Sequence, residues 1–312
     1  MQTREQTADA GRQRPSSGRC YVLKGQAHEA PALAPGLHIV ATPIGNLRDT
    51  TLRALEVLAA ADVIACEDTR VTRKLLEHYV ITTPLTPYHD HNAAEARPKL
   101  IARLAAGNAV ALVSDAGTPL VSDPGFKLVR AAHEAGHAVT AVPGASAALA
   151  ALTVAGLPTD RFFFEGFLPV KSGQRQTRIT ELARIPATLL LFESGPRLAA
   201  ALADLSKGLG PREAAVCREL TKLHEEVRRG DIATLAAHYE TAGAPRGEIV
   251  LVIAPPVAED TEVADLDALL RSALARVSVK EAVAEVAAVT GQPRREVYQR
   301  ALKLAQDGGA DE

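Results

Sequence analysis

Residues Ser114–Gly125 read SDAGTPLVSDPG and directly follow the apolar run AVALV at Ala109–Val113. Five consecutive apolar residues indicate a strand that is buried on both faces. The segment after it combines glycine, proline, serine and aspartate, which bend the backbone and leave its N–H and C=O groups open to a ligand. It is also longer than the usual strand-to-helix connection of about 2–6 residues. We therefore predict a ligand-binding loop at the carboxyl end of a buried strand.

The same succession of apolar run, polar loop and helix recurs on both sides of this segment. Leu37–Thr42 precedes PIGNL, Val63–Cys66 precedes EDTR (Glu67–Arg70), and Ala138–Val142 precedes PGAS (Pro143–Ser146). Helices are predicted over Thr51–Ala61, Arg73–Tyr79, Arg97–Ala106 and Phe126–Ala135. Alternating strands and helices predict an α/β fold with a parallel sheet and a ligand crevice outside the carboxyl ends of its strands.

The chain as a whole is predicted to have a leader, two α/β domains and a C-terminal tail. Residues 1–36 are polar and rich in Pro, Gly and Ser, and we expect a disordered leader there. An N-terminal α/β domain then spans residues 37–157, and a C-terminal α/β domain spans residues 158–257. Strands of the second domain are predicted at Arg161–Glu165, Thr188–Phe192, Ala214–Cys217 and Ile249–Ile253.

Residues 258–312 are predicted to form an acidic linker and a helix-turn-helix-like tail. Ser278-Val279-Lys280-Glu281 has the pattern of a capping box, which starts a helix. Thr290-Gly291 breaks that helix, and Pro293 suits the start of the next one. Lys280, Arg294, Arg295 and Arg300 give the tail a basic character.

Composition excludes several classes of protein. A net charge of −2 over 312 residues argues against broad, charge-driven binding of nucleic acid, although a local basic patch is compatible with it. Three widely spaced cysteines argue against a disulfide framework and against a CxxC metal site. No apolar run approaches the ~20 residues of a membrane span, and the N-terminus lacks the apolar core of a signal peptide. We therefore expect a cytoplasmic protein.

Three polar clusters could carry chemistry, and each has an alternative structural explanation. Glu67–Arg70 suits a substrate-orienting pair, but it also suits a helix N-terminus that Asp68 caps. His89-Asp90-His91-Asn92 contains possible metal ligands, yet a substrate-binding loop is favoured because the cluster would need further ligands from elsewhere. A local positive rim could be formed by Arg197, Arg218 and Lys222, or these could be solvated surface charges.

Together these motifs resemble one known family. The run TPIGNL, EDTR, HDHN, SDAGTPLVSDPG, PGAS, EGFLP, RELTK and a final Gly247-Glu248 resembles, in order over Leu37–Pro256, the small-subunit ribosomal RNA methyltransferase I family of the tetrapyrrole methylase superfamily. The resemblance implies two α/β domains of the tetrapyrrole methylase type with an interdomain cofactor cleft, plus a small C-terminal helical unit. It also implies a homodimer.

The resemblance further implies a reaction. The enzyme would move the methyl group of S-adenosyl-L-methionine to the ribose 2′-hydroxyl of a decoding-region cytidine in 16S rRNA of the small ribosomal subunit. The implied cofactor contacts are Pro43, Asp115, Ala116, Gly117, Thr118, Val121, Ala145, Ser146, Phe192, Glu193, Gly247 and Glu248.

Catalytic and substrate roles are hypotheses built on the same motifs. The proton of the acceptor hydroxyl would be accepted or oriented by Asp68, His89 or Glu219. The implied RNA contacts are Arg70, His91, Asn92, Arg197, Arg218 and Lys222. We expect no metal, membrane or DNA.

Two departures from the family pattern bear on the substrate. Tetrapyrrole-modifying relatives carry Gly-Asp-Pro where this chain has Gly117-Thr118-Pro119, which favours the RNA branch. Many RNA-branch members have His-Arg where this chain has Pro196-Arg197, and the missing histidine argues against a catalytic role at that position. The alternatives are a tetrapyrrole (precorrin-type) methylase, a metal-dependent phosphoesterase at His89–His91, and a non-catalytic RNA-binding module.

Overall fold

A computed structural model describes residues 19–256, 261–290 and 292–307 of the chain. Over this part, the chain divides into two compact units, one up to Pro255 and one from Pro256. The first unit contains two five-stranded sheets and a two-stranded hairpin, and the second contains three helices.

The first sheet is parallel throughout, as the sequence predicts. Its strand order is β5-β4-β6-β3-β7. The strands are β3 Gly36–Val40, β4 Val63–Cys66, β5 Leu85–Pro87, β6 Ala109–Val113 and β7 Val139–Val142. The helices between and after them are α1 Leu52–Ala60, α2 Thr69–His78, α3 Ala93–Ala105, α4 Phe126–Glu134 and α5 Ala147–Ala155. The numbering of the strands begins with the hairpin, β1 Cys20–Leu23 and β2 Gln26–Glu29.

Side chains alternate between the two faces of this sheet along each strand, and helices bury both faces. On β6, Ala111 and Val113 pack into one apolar cluster with α1 and α2, whereas Val110 and Leu112 pack into another with α3 and α4. All five residues of β6 are buried. With helices on both faces, the polar loops that follow the strands collect at one edge of the sheet.

Two helices begin earlier than predicted. The helix α2 starts at Thr69 rather than Arg73, because the Asp68 side chain caps it and accepts a hydrogen bond from the Arg70 N–H. The helix α3 starts at Ala93 rather than Arg97, and Pro98 lies inside it. The prediction placed Pro98 near the helix start, where proline is favoured.

The second sheet mixes two pairing directions. Its order is β11-β10-β12-β9-β8, with β8 and β9 parallel and the other pairs antiparallel. The strands are β8 Phe162–Phe167, β9 Thr188–Ser194, β10 Glu213–Arg218, β11 Glu226–Asp231 and β12 Glu248–Ile253. The helices are α6 Ser172–Leu182, α7 Gly195–Leu209 and α8 Ile232–Ala242, which cover one face.

The other face of this sheet is covered by α5, which belongs to the first domain in sequence. Ala148, Ala151 and Leu152 pack with Leu190 of β9 and Val252 of β12 in one apolar cluster. The small alanine side chains let the helix approach the sheet closely. The two halves of the first unit are therefore joined by a buried apolar interface.

The expectation of a disordered leader is wrong for residues 19–36. There β1 and β2 form an antiparallel hairpin around Lys24-Gly25, both of which have positive φ (50° and 82°), as a tight hairpin turn requires. Tyr21 is buried against the core, and Val22 donates its N–H to the Tyr79 carbonyl at 2.7 Å. Residues 1–18 of the expected leader lie outside the described residues.

The second unit consists of α9 Thr261–Leu274, α10 Val279–Thr290 and α11 Arg294–Asp307 around its own apolar cluster. The capping box is confirmed, because Ser278 Oγ accepts the Glu281 N–H at 3.4 Å while the Glu281 carboxylate accepts the Ser278 N–H at 3.2 Å. The helix α9 precedes this capping box and was not predicted separately within residues 258–312. Arg300 pairs with Asp267 at 2.7 Å.

None of the helices in the described part of the chain has the length and apolar character needed to cross a membrane.

Candidate active site

Three loops of the first domain are tied together at the carboxyl edge of its sheet. Thr42, after β3, and Gly117, after β6, exchange two backbone hydrogen bonds of 2.8 and 3.0 Å. The Thr118 hydroxyl donates to the Ala145 carbonyl, after β7, at 3.1 Å. Gly117 has φ +79°, a conformation that L residues rarely adopt, and a Cβ there would lie 3.3 Å from Ile44 Cγ2. The three loops thus form one connected wall.

The long loop after β6 contains strained backbone. Leu120 and Ser122 have φ of 74° and 63°, and neither is a glycine. Each such residue costs about 1–3 kcal/mol, and strain of this kind clusters at ligand sites. Opposite Ser122 lies Gly166 of β8, where an added Cβ would lie 2.9 Å from the Ser122 hydroxyl oxygen. The loop therefore closely approaches the second domain.

The second domain contributes the opposite wall. Its most informative residue is Glu193 on β9, which is 3% exposed. One carboxylate oxygen, Oε1, accepts the Ser194 N–H at 2.8 Å and lies 3.2 Å from Arg197 Nε. The other, Oε2, is buried and has no hydrogen-bond partner among the described residues. A buried carboxylate oxygen with no partner is costly, so a ligand donor in the cleft would stabilise it.

Between these walls lies a cleft of about 440 Å³, which we call the donor cleft. Residues from both domains line it: Ile44, Glu67, Asp115, Ala116, Gly117, Thr118, Val121, Ser122, Asp123, Ser146, Ala147, Phe167, Phe192, Glu193, Ser194, Cys217, Leu220, Gly247, Glu248, Ile249 and Val250. The volume is ordinary for a small-molecule site, and an apolar lining with a few polar groups is typical of one.

Every residue that the resemblance assigned to the cofactor lines this cleft, except Pro43 and Ala145. Pro43 directly precedes the lining residue Ile44, and Ala145 is held by Thr118 as described above. The sequence motifs, which lie up to 200 residues apart, therefore converge on one cavity.

Two open cavities adjoin the donor cleft, and we call them the acceptor pockets. One, of about 490 Å³, is lined by Glu67, Asp68, Thr69, Arg70, Pro87, His89, His91 and Asp115. The other, of about 320 Å³, is lined by Glu67, His89, Asp90, His91, Leu120, Ser122, Asp123 and Pro124. The EDTR and HDHN clusters, which are separate in sequence, thus face the same space.

Comparison with known proteins identifies the family. The sequence profile described as Tetrapyrrole (Corrin/Porphyrin) Methylases matches residues 36–236, and that of the RsmI C-terminal HTH domain matches residues 260–305. Ribosomal RNA small subunit methyltransferase I of Mesorhizobium japonicum is 55% identical over 284 residues, covering 90% of this chain and 97% of the relative. The protein of the same name from Erythrobacter litoralis is 53% identical over 277 residues, covering 89% and 98%.

The chain belongs to the ribosomal RNA small subunit methyltransferase I family. Solved structures agree on the fold. Uroporphyrin-III-C-methyltransferase from Thermus thermophilus superposes with a TM-score of 0.52 at 25% identity, covering 73% of this chain and 98% of the other. Diphthine synthase gives 0.56 at 20% identity, covering 70% and 89%.

The methyl donor of the methyltransferase I family is S-adenosylmethionine, and the donor cleft suits it. The molecule carries amino and hydroxyl groups that can donate hydrogen bonds, and Glu193 Oε2 is a buried acceptor without a partner. The Phe192 ring, 5.0 Å from that of Phe164 and 5.6 Å from that of Phe167, adds an aromatic surface. The residues present therefore fit the donor.

Of the three proposed proton acceptors, Asp68 is fully engaged by Arg70. Its carboxylate accepts the Arg70 backbone N–H at 2.8 Å and the guanidinium at 2.6 Å. The side-chain and backbone hydrogen bonds from Arg70 lower the pKa of Asp68 to about 2. A carboxylate with so low a pKa is a weak base near neutral pH. Asp68 is therefore a helix cap, the structural alternative for this cluster, and Arg70 extends from it into solvent with 87% of its side chain exposed.

Glu219 is also unsuited to the proton-accepting role. Its carboxylate accepts hydrogen bonds from Lys222 Nζ at 2.7 Å and from the Glu248 N–H at 3.1 Å, and these bonds lower the pKa of Glu219. Lys222 also pairs with the Glu248 carboxylate at 2.7 Å. The Lys222 alkyl chain covers Gly45 of the first domain, where an added Cβ would lie 2.4 Å from Lys222 Cγ. Lys222 thus contacts the first domain while Glu219 holds its ammonium group, and neither residue lines the donor cleft or the acceptor pockets.

The expected positive rim is largely neutralised inside the protein. The Arg197 guanidinium donates to the Leu168 carbonyl at 2.6 Å and faces Glu193, and Arg218 pairs with Glu226 at 3.1 Å. Both arginines are mostly buried, with 26% and 20% of the side chain exposed. Both guanidinium groups are occupied by partners within the protein, so they are not available as free phosphate-binding groups.

In the HDHN loop, Asn92 stabilises the loop, whereas His89 and His91 line the acceptor pockets. The Asn92 side chain accepts the His89 N–H at 2.9 Å and donates to the Pro87 carbonyl at 3.0 Å, so it shapes the loop. His89 and His91 line both acceptor pockets. His89 Nδ1 is buried and has no hydrogen-bond partner in the described part of the chain. His89 is therefore the one proposed proton acceptor of the three that remains open to a ligand.

Across the described ranges, no group of three or more His, Cys, Asp or Glu side chains is arranged to hold a metal ion. The ligand set that the phosphoesterase alternative needs is not formed at His89–His91.

Sequence reasoning included two acidic residues in candidate motifs but gave neither an individual role, and the structure places both in the site. Glu67 follows the last residue of β4, and Asp123 lies in the SDPG end of the long loop; both line the donor cleft. Burial and the nearby Asp115 raise the pKa of Asp123, although a hydrogen bond from Ser114 opposes this. The position of Glu67 in the sequence could have indicated its place in the site, because the first residue after a fully buried strand lies at the carboxyl edge of the sheet.

Proposed function

We propose that this chain transfers the methyl group of S-adenosylmethionine to the ribose 2′-hydroxyl of a decoding-region cytidine in 16S rRNA of the small ribosomal subunit. The observation that carries this proposal is the junction of a mostly apolar donor cleft with more open, polar acceptor pockets. Glu67 and Asp115 line both the cleft and the larger pocket. A small molecule fits the cleft, and a nucleotide of a larger RNA fits the more open pockets.

The donor supplies an electrophilic methyl group on a sulfonium, and the protein supplies orientation. The loop walls hold the donor through backbone groups and Glu193, while His89 and His91 orient the acceptor ribose or its phosphate. Fixing two reactants in attack geometry can contribute about 7–11 kcal/mol to the lowering of a barrier. The ribose hydroxyl is the group that distinguishes RNA from DNA, so an acceptor site built around it selects RNA.

RNA phosphates are contacted, in this proposal, by exposed cations. Arg70 projects from the rim of the larger acceptor pocket. Lys280, Arg294 and Arg295 of the helical tail would add contacts elsewhere on the subunit. We also propose a homodimer, since α5 and the edge strand β8 expose large apolar side chains such as Leu149 and Phe162. Light scattering of the purified protein measures the oligomeric state.

The deciding experiment uses small subunits from a strain that lacks this gene. Purified protein and labelled donor are added, and ribose methylation of the 16S rRNA is mapped by mass spectrometry. We expect one 2′-O-methylcytidine in the decoding region. Labelled precorrin-type tetrapyrroles serve as the competing substrate class. Methylation of a tetrapyrrole, or of a base atom instead of the ribose, would refute the proposal.

A further inference from the structure

Glu67 lies where the three cavities of the site meet. Among the described residues, no other lines the donor cleft and both acceptor pockets. Asp115 lines the cleft and the larger pocket only, and Asp123 lines the cleft and the smaller pocket only. A group that receives a proton during methyl transfer must reach the acceptor oxygen while that oxygen faces the donor methyl. The junction of the three cavities is the place where both conditions are met.

The carboxylate of Glu67 is also free. No hydrogen bond or ion pair to its side chain occurs in the described part of the chain, whereas Asp68 and Glu219 are occupied by Arg70 and Lys222. Its backbone is held, since it lies between the last residue of β4 and the helix cap Asp68, whose N–H donates to Asp115 Oδ1 at 2.9 Å. A fixed backbone with an unengaged side chain is what a proton-accepting group needs.

The surroundings of Glu67 are acidic, which strengthens it as a base. Burial and then the neighbouring carboxylates raise the pKa of Glu67 above its usual value. The charged or titratable groups around it are Asp115, Asp123, Asp90 and Asp68, with His89 and His91 on the shared pocket walls. The positive sulfonium of a donor bound in the adjoining cleft would favour the carboxylate form. A raised pKa brings the group closer to the operating pH, where general bases are most effective.

We propose that the Glu67 carboxylate is the general base of the reaction, taking the proton of the acceptor 2′-hydroxyl. This rests on the function proposed above. As the acceptor oxygen forms its bond to the methyl carbon, Glu67 receives the hydroxyl proton and becomes a neutral carboxylic acid. The carbon–sulfur bond breaks, and its electron pair stays on sulfur, which becomes an uncharged thioether. One positive and one negative charge are thereby cancelled, and no oxidant or further reactant is needed.

Two neighbours compete for this role. Asp123 is half-buried, and it does not line the larger acceptor pocket. His89 lines both acceptor pockets but not the donor cleft. Each can contact the acceptor nucleotide, but Glu67 alone of the three lines the donor cleft and both acceptor pockets.

The test compares Glu67→Gln, Glu67→Asp and the control Glu134→Gln, which removes an exposed carboxylate on α4. Donor binding is measured by calorimetry, and single-turnover methylation of unmethylated small subunits is measured at saturating donor from pH 5 to 9. We expect Glu67→Gln to bind the donor within about threefold of wild type. We expect its chemical rate to fall by about 10²–10⁴-fold, the usual contribution of general base catalysis.

The pH profile separates a base from a structural group. The wild-type rate should rise with pH as Glu67 loses its proton and then level off, and Glu67→Gln should lack this rise. Glu67→Asp, which keeps a carboxylate, should retain the rise at an intermediate rate, and it serves as the test if Glu67→Gln does not fold. A Glu67→Gln rate within threefold of wild type at saturating donor would overturn the assignment, as would a loss confined to donor affinity. Wild-type protein that binds donor but methylates no ribose would instead refute the proposed function.

Discussion

Replacing Glu193 by glutamine tests whether the buried carboxylate oxygen of the donor cleft binds the donor. The substitution keeps the shape of the side chain and removes its charge. Glu193 Oε2 is buried without a partner, and Oε1 is already used by the Ser194 N–H. A hydrogen bond to a charged group contributes about 1.5–3 kcal/mol. Since about 1.4 kcal/mol corresponds to a factor of ten in affinity, Glu193→Gln should weaken donor binding by about 10- to 150-fold.

The free protein should tolerate this change. Glutamine can still accept the Ser194 N–H, and Arg197, which loses its charge partner, keeps its hydrogen bond to the Leu168 carbonyl at 2.6 Å. Loss of the Arg197 ion pair destabilises the protein, whereas removal of a buried charge that lacks a full set of partners stabilises it. The two effects on the free energy of unfolding therefore oppose each other. We expect the free energy of unfolding to change by no more than about 1 kcal/mol, well within the range of ordinary substitutions.

Calorimetry with the donor and with its demethylated product measures the loss of affinity, and thermal unfolding measures stability. The control is Glu181→Gln, which removes an exposed carboxylate on α6 and should leave the dissociation constant within twofold. Donor affinity of Glu193→Gln within twofold of wild type, in a protein of normal stability, would show that the donor does not use this oxygen. The assignment of the cleft wall at β9 would then be wrong.

Three further outcomes follow from the structure. Gly247→Ala should abolish measurable donor binding, because Gly247 has φ +100° and the new Cβ would lie 2.4 Å from the Glu219 carboxyl group; normal affinity by calorimetry would contradict this. Asp204→Ala should destabilise the protein by about 3–5 kcal/mol in chemical denaturation, because it leaves the buried Arg175, now 2.6 Å from Asp204, without its charge partner; a loss below 1 kcal/mol would exclude an essential ion pair. Ser278→Ala should cost about 0.5–2 kcal/mol at the start of α10 and speed amide exchange in its first turn, as measured by mass spectrometry; unchanged exchange would exclude a capping role.

The first domain was largely predictable because most of its strands are short, predominantly apolar runs that are followed by a polar loop. The edge strand β11 was missed for the opposite reason. Its sequence EVRRGD is mostly polar and half-exposed, which in sequence is typical of a surface loop. The strand β5 has three residues, LTP, and the hairpin strand β2 reads QAHE, so neither has an apolar pattern. Tertiary pairing alone makes these segments strands.

The site was predictable in its loops but not in its charges. The residues expected to contact the donor line the cleft because motifs at strand ends must converge on one edge of a sheet. Which carboxylates are free depends on partners distant in sequence, such as Glu248 for Lys222. The pairing of Arg218 with Glu226 requires the register of β10 and β11, which places them directly opposite each other. The sequence alone shows the charged residues but not which of them neutralise one another.

The hydrogen bonds that join Thr42, Gly117, Thr118 and Ala145 are all made between groups of the protein itself. The shape of the wall therefore does not depend on contacts with the donor, and little chain entropy remains to be lost when the donor enters. Association should then be limited by diffusion through the cleft mouth rather than by a slow rearrangement. Turnover in such an enzyme would be governed by how the much larger RNA surface docks and leaves.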